Sequence, residues 1–154
     1  MASTALRLLN HLLNPVVRTV VRRRPHGRLA RAVGLLSYRG RVSGRSFTIP
    51  VDYAADGEGR YVVVPGDQEH KNWWKNFRQP MTVHFLVAGS DIAGRAALIE
   101  EPKERRSALE VYFRRFPSAA RMQGLPRRGD GAFDSGRLDA LAERLVVVRV
   151  DSRD

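Results

Sequence analysis

The chain has 154 residues, 43% of them hydrophobic, and not one cysteine; that length fits a single domain with one well-buried core. The missing thiols exclude disulfide staples, thiolate catalysis and cysteine-based zinc or iron–sulfur sites, and His11, His26, His70 and His84 are not paired at helical spacing, so no metal site is expected. The net charge of +11 is lopsided: ten arginines and no Asp or Glu precede Asp52, so the first 51 residues hold +10 of it, which calls for an anionic partner at that end, be it nucleic acid, anionic lipid or a polyanionic ligand.

From Ala5 to Val21, Leu6, Leu9, Leu13, Val16, Val17 and Val20 recur at three- and four-residue spacing, which predicts two short amphipathic helices. Asn14 and Pro15 suit the cap and first position of the second helix, and the basic run Arg22 to Arg24 follows. The uncharged stretch Leu8 to Val17 falls well short of the ~20 residues of a membrane span, so this segment can lie on a membrane but not cross it. A secretory signal fits poorly; the acid-free, arginine-rich composition also matches an organellar transit peptide.

Strand-like segments follow: Val33 to Tyr38, Phe47 to Ala54, Arg60 to Pro65, Thr82 to Val87, Ile92 to Ile99 and, last, Leu145 to Val150. Turns such as Asp56-Gly57-Glu58-Gly59 and Ala88-Gly89-Ser90-Asp91 separate them. Helices are predicted over Glu69 to Arg78, over Pro102 to Phe116 with Leu109, Tyr112, Phe113 and Phe116 along one side, and over Ser135 to Arg144. Pro117 to Phe133, rich in Gly, Pro and Arg, reads as a mobile loop or lid. The prediction is an α+β chain: a basic helical segment over residues 1–32, then a six-stranded antiparallel barrel over residues 33–151 decorated by helices.

Two stretches carry candidate chemistry. In Gly40-Arg41-Val42-Ser43-Gly44-Arg45 two glycines bracket three residues, so the backbone can aim several N–H groups inward while Ser43 adds a hydroxyl and Arg41 and Arg45 add cations. That suits a phosphate; an ordinary hairpin turn with solvated arginines is the other reading. In Asn72-Trp73-Trp74-Lys75-Asn76-Phe77-Arg78 neighbouring side chains point about 100° apart, so both tryptophans cannot face the core. Trp73, four residues from Phe77, is the core candidate, leaving Trp74 at a rim beside Lys71, Lys75 and Arg78, where it either packs over neighbours or stacks on a flat ligand.

The order Leu35 to Gly44, then Ile49-Pro50-Val51, then Val62-Val63-Val64-Pro65-Gly66, then Asn72 to Asn76 resembles the deazaflavin-dependent nitroreductase family of split-barrel oxidoreductases, over nearly the whole chain from about residue 5 to 151. The resemblance implies a split β-barrel that binds coenzyme F420, with FMN as the alternative cofactor of such barrels. It implies that Arg41, Val42 and Ser43 hold the phosphate region and that Phe47, Thr48, Ile49, Pro50 and Val51 run along the ring system. Val64, Pro65, Gly66 and Asp67 would form a second wall, and Asn72, Trp73, Trp74, Lys75 and Asn76 would approach the phosphate and tail. The chemistry implied is hydride transfer to a hydrophobic acceptor such as a quinone, an enone or a nitroaromatic, which needs no acid–base triad.

In this family tyrosines line the acceptor pocket; the corresponding positions here are Asp52, Phe116, Ala119 and Met122, with Trp73 beside them, and Gly66 leaves one hydroxyl fewer near the ring. Asp52 is the candidate proton donor, if burial raises its pKa, and equally a candidate ion-pair partner for the many arginines. The resemblance also associates the N-terminal segment with membrane contact, giving an expected location in the cytoplasm with peripheral contact at the inner face of the membrane. Nucleic acid is the weaker partner, because no aromatics interleave with the basic run.

Overall fold

The computed structural model describes residues 33–57 and 59–153; the two helices expected before Val21, and the segment 1–32 as a whole, lie outside the described residues. Seven strands, β1 (Val33–Arg39), β2 (Ser46–Asp52), β3 (Ala54–Ala55), β4 (Arg60–Val63), β5 (Met81–Val87), β6 (Ser90–Leu98) and β7 (Val148–Ser152), make one antiparallel sheet in the order β2-β1-β5-β6-β7-β4-β3. The edge strands β2 and β3 are separated in the chain by Tyr53 alone, yet stand at opposite ends of that order. Only a sheet curled almost onto itself permits this, so the strands form a barrel left open along one seam.

The expected segment Phe47 to Ala54 is therefore two strands, and the count is seven rather than six. Residues up to Asp52 pair with β1, while Ala54 and Ala55 pair with Val62 and Tyr61 of β4. A change of hydrogen-bonding partner leaves the apolar pattern unbroken, which is why periodicity alone joins the two. The β5–β6 hairpin is tighter than expected: Val87 faces Ser90 across Ala88 and Gly89, both at positive φ (47° and 81°), the geometry of a two-residue turn whose twist matches the strands. The last strand also begins later than expected, at Val148.

Two apolar clusters hold the fold. Inside the barrel, Leu36, Tyr38, Val51, Tyr53, Val63, Phe77, Val83, Phe85, Val148 and Val150 meet. Outside it, the sheet is covered by α1 (Pro102–Arg115), α2 (Pro117–Met122) and α3 (Ser135–Arg144) through Leu109, Tyr112, Phe113, Leu125, Leu138 and Leu141. The carboxylate of Glu101 caps α1 by accepting the Glu104 N–H at 2.8 Å, and Asp134 caps α3 by accepting that of Arg137 at 2.9 Å. Arg106 of α1 pairs with Asp139 of α3 at 2.5 Å, and Arg105 reaches the Ala142 carbonyl beside it.

Two expectations need correction. The helix expected over Glu69 to Arg78 is a single 3-10 segment, Trp73–Arg78. The expected lid, Pro117 to Phe133, contains α2 and is fastened by buried Ala120, Leu125 and Phe133, with Arg127 and Phe133 in a β-bridge. Its glycines and prolines shape a packed connection; they do not free it.

Candidate functional site

A cavity of about 620 Å³ opens at the seam of the barrel, within the range that holds drug-sized ligands. Its first wall is the free edge of β2 at Pro50, Val51 and Asp52; Pro50 has no N–H, which an unpaired edge tolerates. The second wall is Val63, Val64, Pro65, Gly66 and Asp67, continued by Lys71 and Trp73. The Gln68 side chain fixes this wall: it accepts the Val146 N–H and donates to the Val146 carbonyl, both at 2.8 Å. Tyr112 and Phe113 of α1, Ala119 and Met122 of α2, Gln123 and Val33 close the rest. Met122 stands 87% exposed at the lip.

Of the residues singled out from the sequence, the fold gathers Pro50, Val51, Asp52, Val64, Pro65, Gly66, Asp67, Trp73, Ala119 and Met122 around this one space. Phe116 is not on its lining; its ring packs against Tyr112 at 4.8 Å with the Arg115 guanidinium over it. Phe47 stacks on Tyr38 at 5.6 Å, the Thr48 hydroxyl meets that of Ser37 at 2.7 Å, and Ile49 turns into the barrel core.

The turn after β1 lies beyond the cavity lining. Gly44 adopts φ 66°, and a Cβ on Gly40 would fall 2.8 Å from the Ser43 Oγ, so both glycines are needed for its shape. The Arg41 guanidinium is not free: it donates to Gln79 Oε1 at 2.8 Å, to the Asn76 carbonyl at 2.9 Å and to the Gln79 carbonyl at 3.0 Å. The Arg41 main-chain N–H donates to Asn76 Oδ1 at 2.8 Å, and the Asn76 amide donates to the Trp73 carbonyl. The two stretches picked out separately in the sequence are thus tied together by Arg41. What remains open for an anion among the described residues of this turn is the Arg45 guanidinium and the pair of N–H groups on Val42 and Ser43, none of which bonds to a described residue, on a turn whose Val42 side chain is fully exposed.

Neither tryptophan is buried; Phe77 is. Trp73 meets Phe77 edge-on at 6.1 Å and presents its ring to the cavity. Trp74 sits outside, its indole N–H on the Lys71 carbonyl and its ring flanked by Lys75 and Arg78, each 5.7 Å from the centroid. Asn72 precedes this 3-10 segment without a side-chain cap.

The cavity also holds groups that the sequence reading left out: Val33, Val63, Lys71, Tyr112, Phe113 and Gln123. Tyr112 is 5% exposed and its hydroxyl bonds to no described residue, yet among the described residues no buried side-chain oxygen is left without a partner, so that hydroxyl is not sealed off. Its pKa is pushed far up by burial and further by the charge of Asp52. Asp52 itself, though an exposed residue, has its carboxyl pKa raised above 3.8 by desolvation, and no described residue forms an ion pair or side-chain hydrogen bond with it. In a chain of net charge +11, a carboxylate on a cavity wall with no partner among the described residues is a candidate site group.

That carboxylate has a signature in stability. With its pKa raised on folding, the folded chain holds the proton to higher pH than the unfolded chain does, so stability falls as pH rises above 3.8 through the folded pKa and stays lower beyond it. Asp52→Asn is therefore expected to melt at a higher temperature than the parent at neutral pH and at the same temperature at about pH 3, measured by thermal denaturation across that range. An asparagine variant less stable at neutral pH would show that the ionised carboxylate is favourably held.

The curled antiparallel barrel is a fold shared with solved structures. The chain superposes on an F420-H2 dependent reductase with TM-score 0.57 and 20% identity over 79% of this chain and 95% of that one. A chain described as a domain-swapped dimer aligns with TM-score 0.57 and 21% identity over 79% and 81%. A conserved hypothetical protein from Mycobacterium tuberculosis aligns with TM-score 0.55 and 16% identity over 93% and 82%. At these identities the likeness is one of fold. No curated protein matches the chain. The family model of F420H(2)-dependent quinone reductase matches residues 15–124, and the chain belongs to that family; it is an F420-dependent oxidoreductase.

The residues present fit such a cofactor. The two walls offer apolar side chains and main chain to a flat ring, Gly66 leaves its Cβ position empty, and the Val42 and Ser43 N–H groups bond to no described residue. Among the described residues no helix is long and apolar enough to cross a membrane.

Proposed function

We propose that the protein reduces a small hydrophobic acceptor, a quinone, an enone or a nitroaromatic, with the deazaflavin F420 held between Pro50–Val51 and Val64–Asp67 and its phosphate at Val42 and Ser43. The observation that carries this reading is the seam cavity, whose largely apolar walls at Pro50–Val51 and Val63–Gly66 suit a flat ring. When bound, the deazaflavin supplies two electrons as a hydride, so the protein has to position and shield and need not form a covalent intermediate. Pro50, Val51, Val64 and Pro65 exclude water from the ring faces; Trp73, Phe113, Ala119 and Met122 bound the space left for the acceptor; Asp52 is the group that can hold a proton beside it. In the same reading residues 1–32, acid-free and arginine-rich, meet an anionic membrane surface.

Titrating the full chain with oxidised F420 while following deazaflavin fluorescence is expected to show saturable quenching at micromolar concentration, with no comparable response to FMN followed by its own fluorescence. No response to F420 would overturn the reading, and tight FMN binding in its place would reassign the cofactor.

A further inference from the structure

Two polar groups on the cavity wall have no partner among the described residues and differ in kind. The Tyr112 hydroxyl is a neutral donor that stays protonated, while the Asp52 carboxylate, once ionised, only accepts. They come from different elements, α1 and the end of β2, and line the same cavity. Water satisfies such groups while the pocket is open, so a ligand that displaces it binds well only if it brings complementary groups.

The other charged groups on the cavity, Asp67 and Lys71, belong to the opposite wall, and Asp67 is engaged by His70 Nδ1 at 2.6 Å. The rest of the lining drawn from β1, β2, α1 and α2 and the residue after α2 is, among the described residues, Val33, Pro50, Val51, Phe113, Ala119, Met122 and the uncharged Gln123. Arg115, one turn beyond Val111 on α1, lines a separate depression with Tyr53 and Tyr61 and is not on this wall.

We infer that Asp52 and Tyr112 form a paired reader of the acceptor: the Tyr112 hydroxyl donates to an acceptor oxygen while the Asp52 carboxylate takes an N–H, ammonium or O–H on the same molecule. This rests on the seam cavity being the acceptor site and adds the substrate class to it. The enzyme prefers acceptors that carry an amino or other hydrogen-bond-donating substituent near the reducible group, and it discriminates against carboxylated ones. The local preference runs against the global field, because a chain of net charge +11 otherwise draws anions in.

The test uses three redox-inert ligands on one skeleton, 1-naphthylmethylamine, 1-naphthylmethanol and 1-naphthoate, titrated calorimetrically at pH 7 into the full chain with and without saturating oxidised F420. In the parent protein the amine is expected to bind about tenfold more tightly than the naphthoate, a difference that a partly shielded charge contact can supply. Asp52→Asn is expected to reduce that ratio to within about twofold while changing the alcohol less, because the amide oxygen still accepts an O–H, and Tyr112→Phe to weaken the alcohol and the naphthoate, which offer it an oxygen, about fivefold while leaving the amine within about twofold. A parent that prefers the naphthoate, or a ratio untouched by Asp52→Asn, overturns the inference. Failure of F420 to bind overturns the cofactor reading instead, and the charge preference is then read on the cofactor-free cavity.

Discussion

Replacing Phe85 with alanine is expected to destabilise the protein by about 3–5 kcal/mol, the cost of removing a buried aromatic ring that its surroundings cannot refill. Phe85 is fully buried at the centre of β5, with the rings of Tyr53 and Tyr61 edge-on to it at 5.5 and 5.6 Å. From β1, Gly34 presses so close that a Cβ built on it would lie 2.5 Å from the ring. The ring therefore fills a space bounded by β1, by the bend at Tyr53 and by β4, the same elements that set the seam apart. Relaxation into the void would need those strands to move together, so collapse of the hole is resisted and the upper part of the range applies. Against a total stability of roughly 5–15 kcal/mol, such a loss brings the midpoint of thermal unfolding down by about 10 °C or more. Urea denaturation followed by circular dichroism reads the change directly. A loss under about 1 kcal/mol would mean that the barrel centre is plastic and the seam is not held by its packing.

The barrel was legible in the sequence where burial alternates along a strand. Val83, Phe85 and Val87 are buried while Thr82 and His84 face out, so β5 announces itself by its period alone. The seam was not legible, because Tyr53 continues an apolar run and nothing local records that Asp52 pairs on one side of the barrel and Ala54 on the other. Composition misled for the segment from Pro117 to Phe133, whose glycines and prolines suggest looseness although Leu125 is wholly buried and Phe133 nearly so. Helical period placed Tyr112 with Leu109 and Phe113, which holds for its buried ring; period says nothing of where a hydroxyl some 6 Å from the Cα ends, and that end reaches the cavity. The seam walls at Pro50, Val51, Val64 and Pro65 came into view only through resemblance to a known family. Their side chains alone read as ordinary strand residues.

Arg41 gives the sharpest separation between what a side chain suggests and what it does. An arginine beside a glycine turn invites assignment to a phosphate, yet a guanidinium serves main-chain carbonyls as well as it serves phosphate oxygens. Here it joins residues 35 and 38 positions further along the chain, holding the 3-10 segment and Gln79 against the turn. If the phosphate is held by the Val42 and Ser43 N–H groups, Arg41 acts on binding through the turn it steadies rather than through its charge. Arg41→Ala and Arg41→Lys are then expected to lose F420 affinity alike, by about tenfold, because a lysine ammonium cannot span Gln79 Oε1 and two carbonyls at once. Both variants should remain folded, with stability lower by about 1–2 kcal/mol, since these hydrogen bonds are exposed and water replaces part of each. Direct charge pairing with the phosphate predicts the opposite pattern for lysine: affinity largely restored, with a salt dependence like that of the parent. Fluorescence titrations of the three proteins with oxidised F420 at two salt concentrations distinguish these cases, and an Arg41→Lys affinity within twofold of the parent would return Arg41 to the ligand.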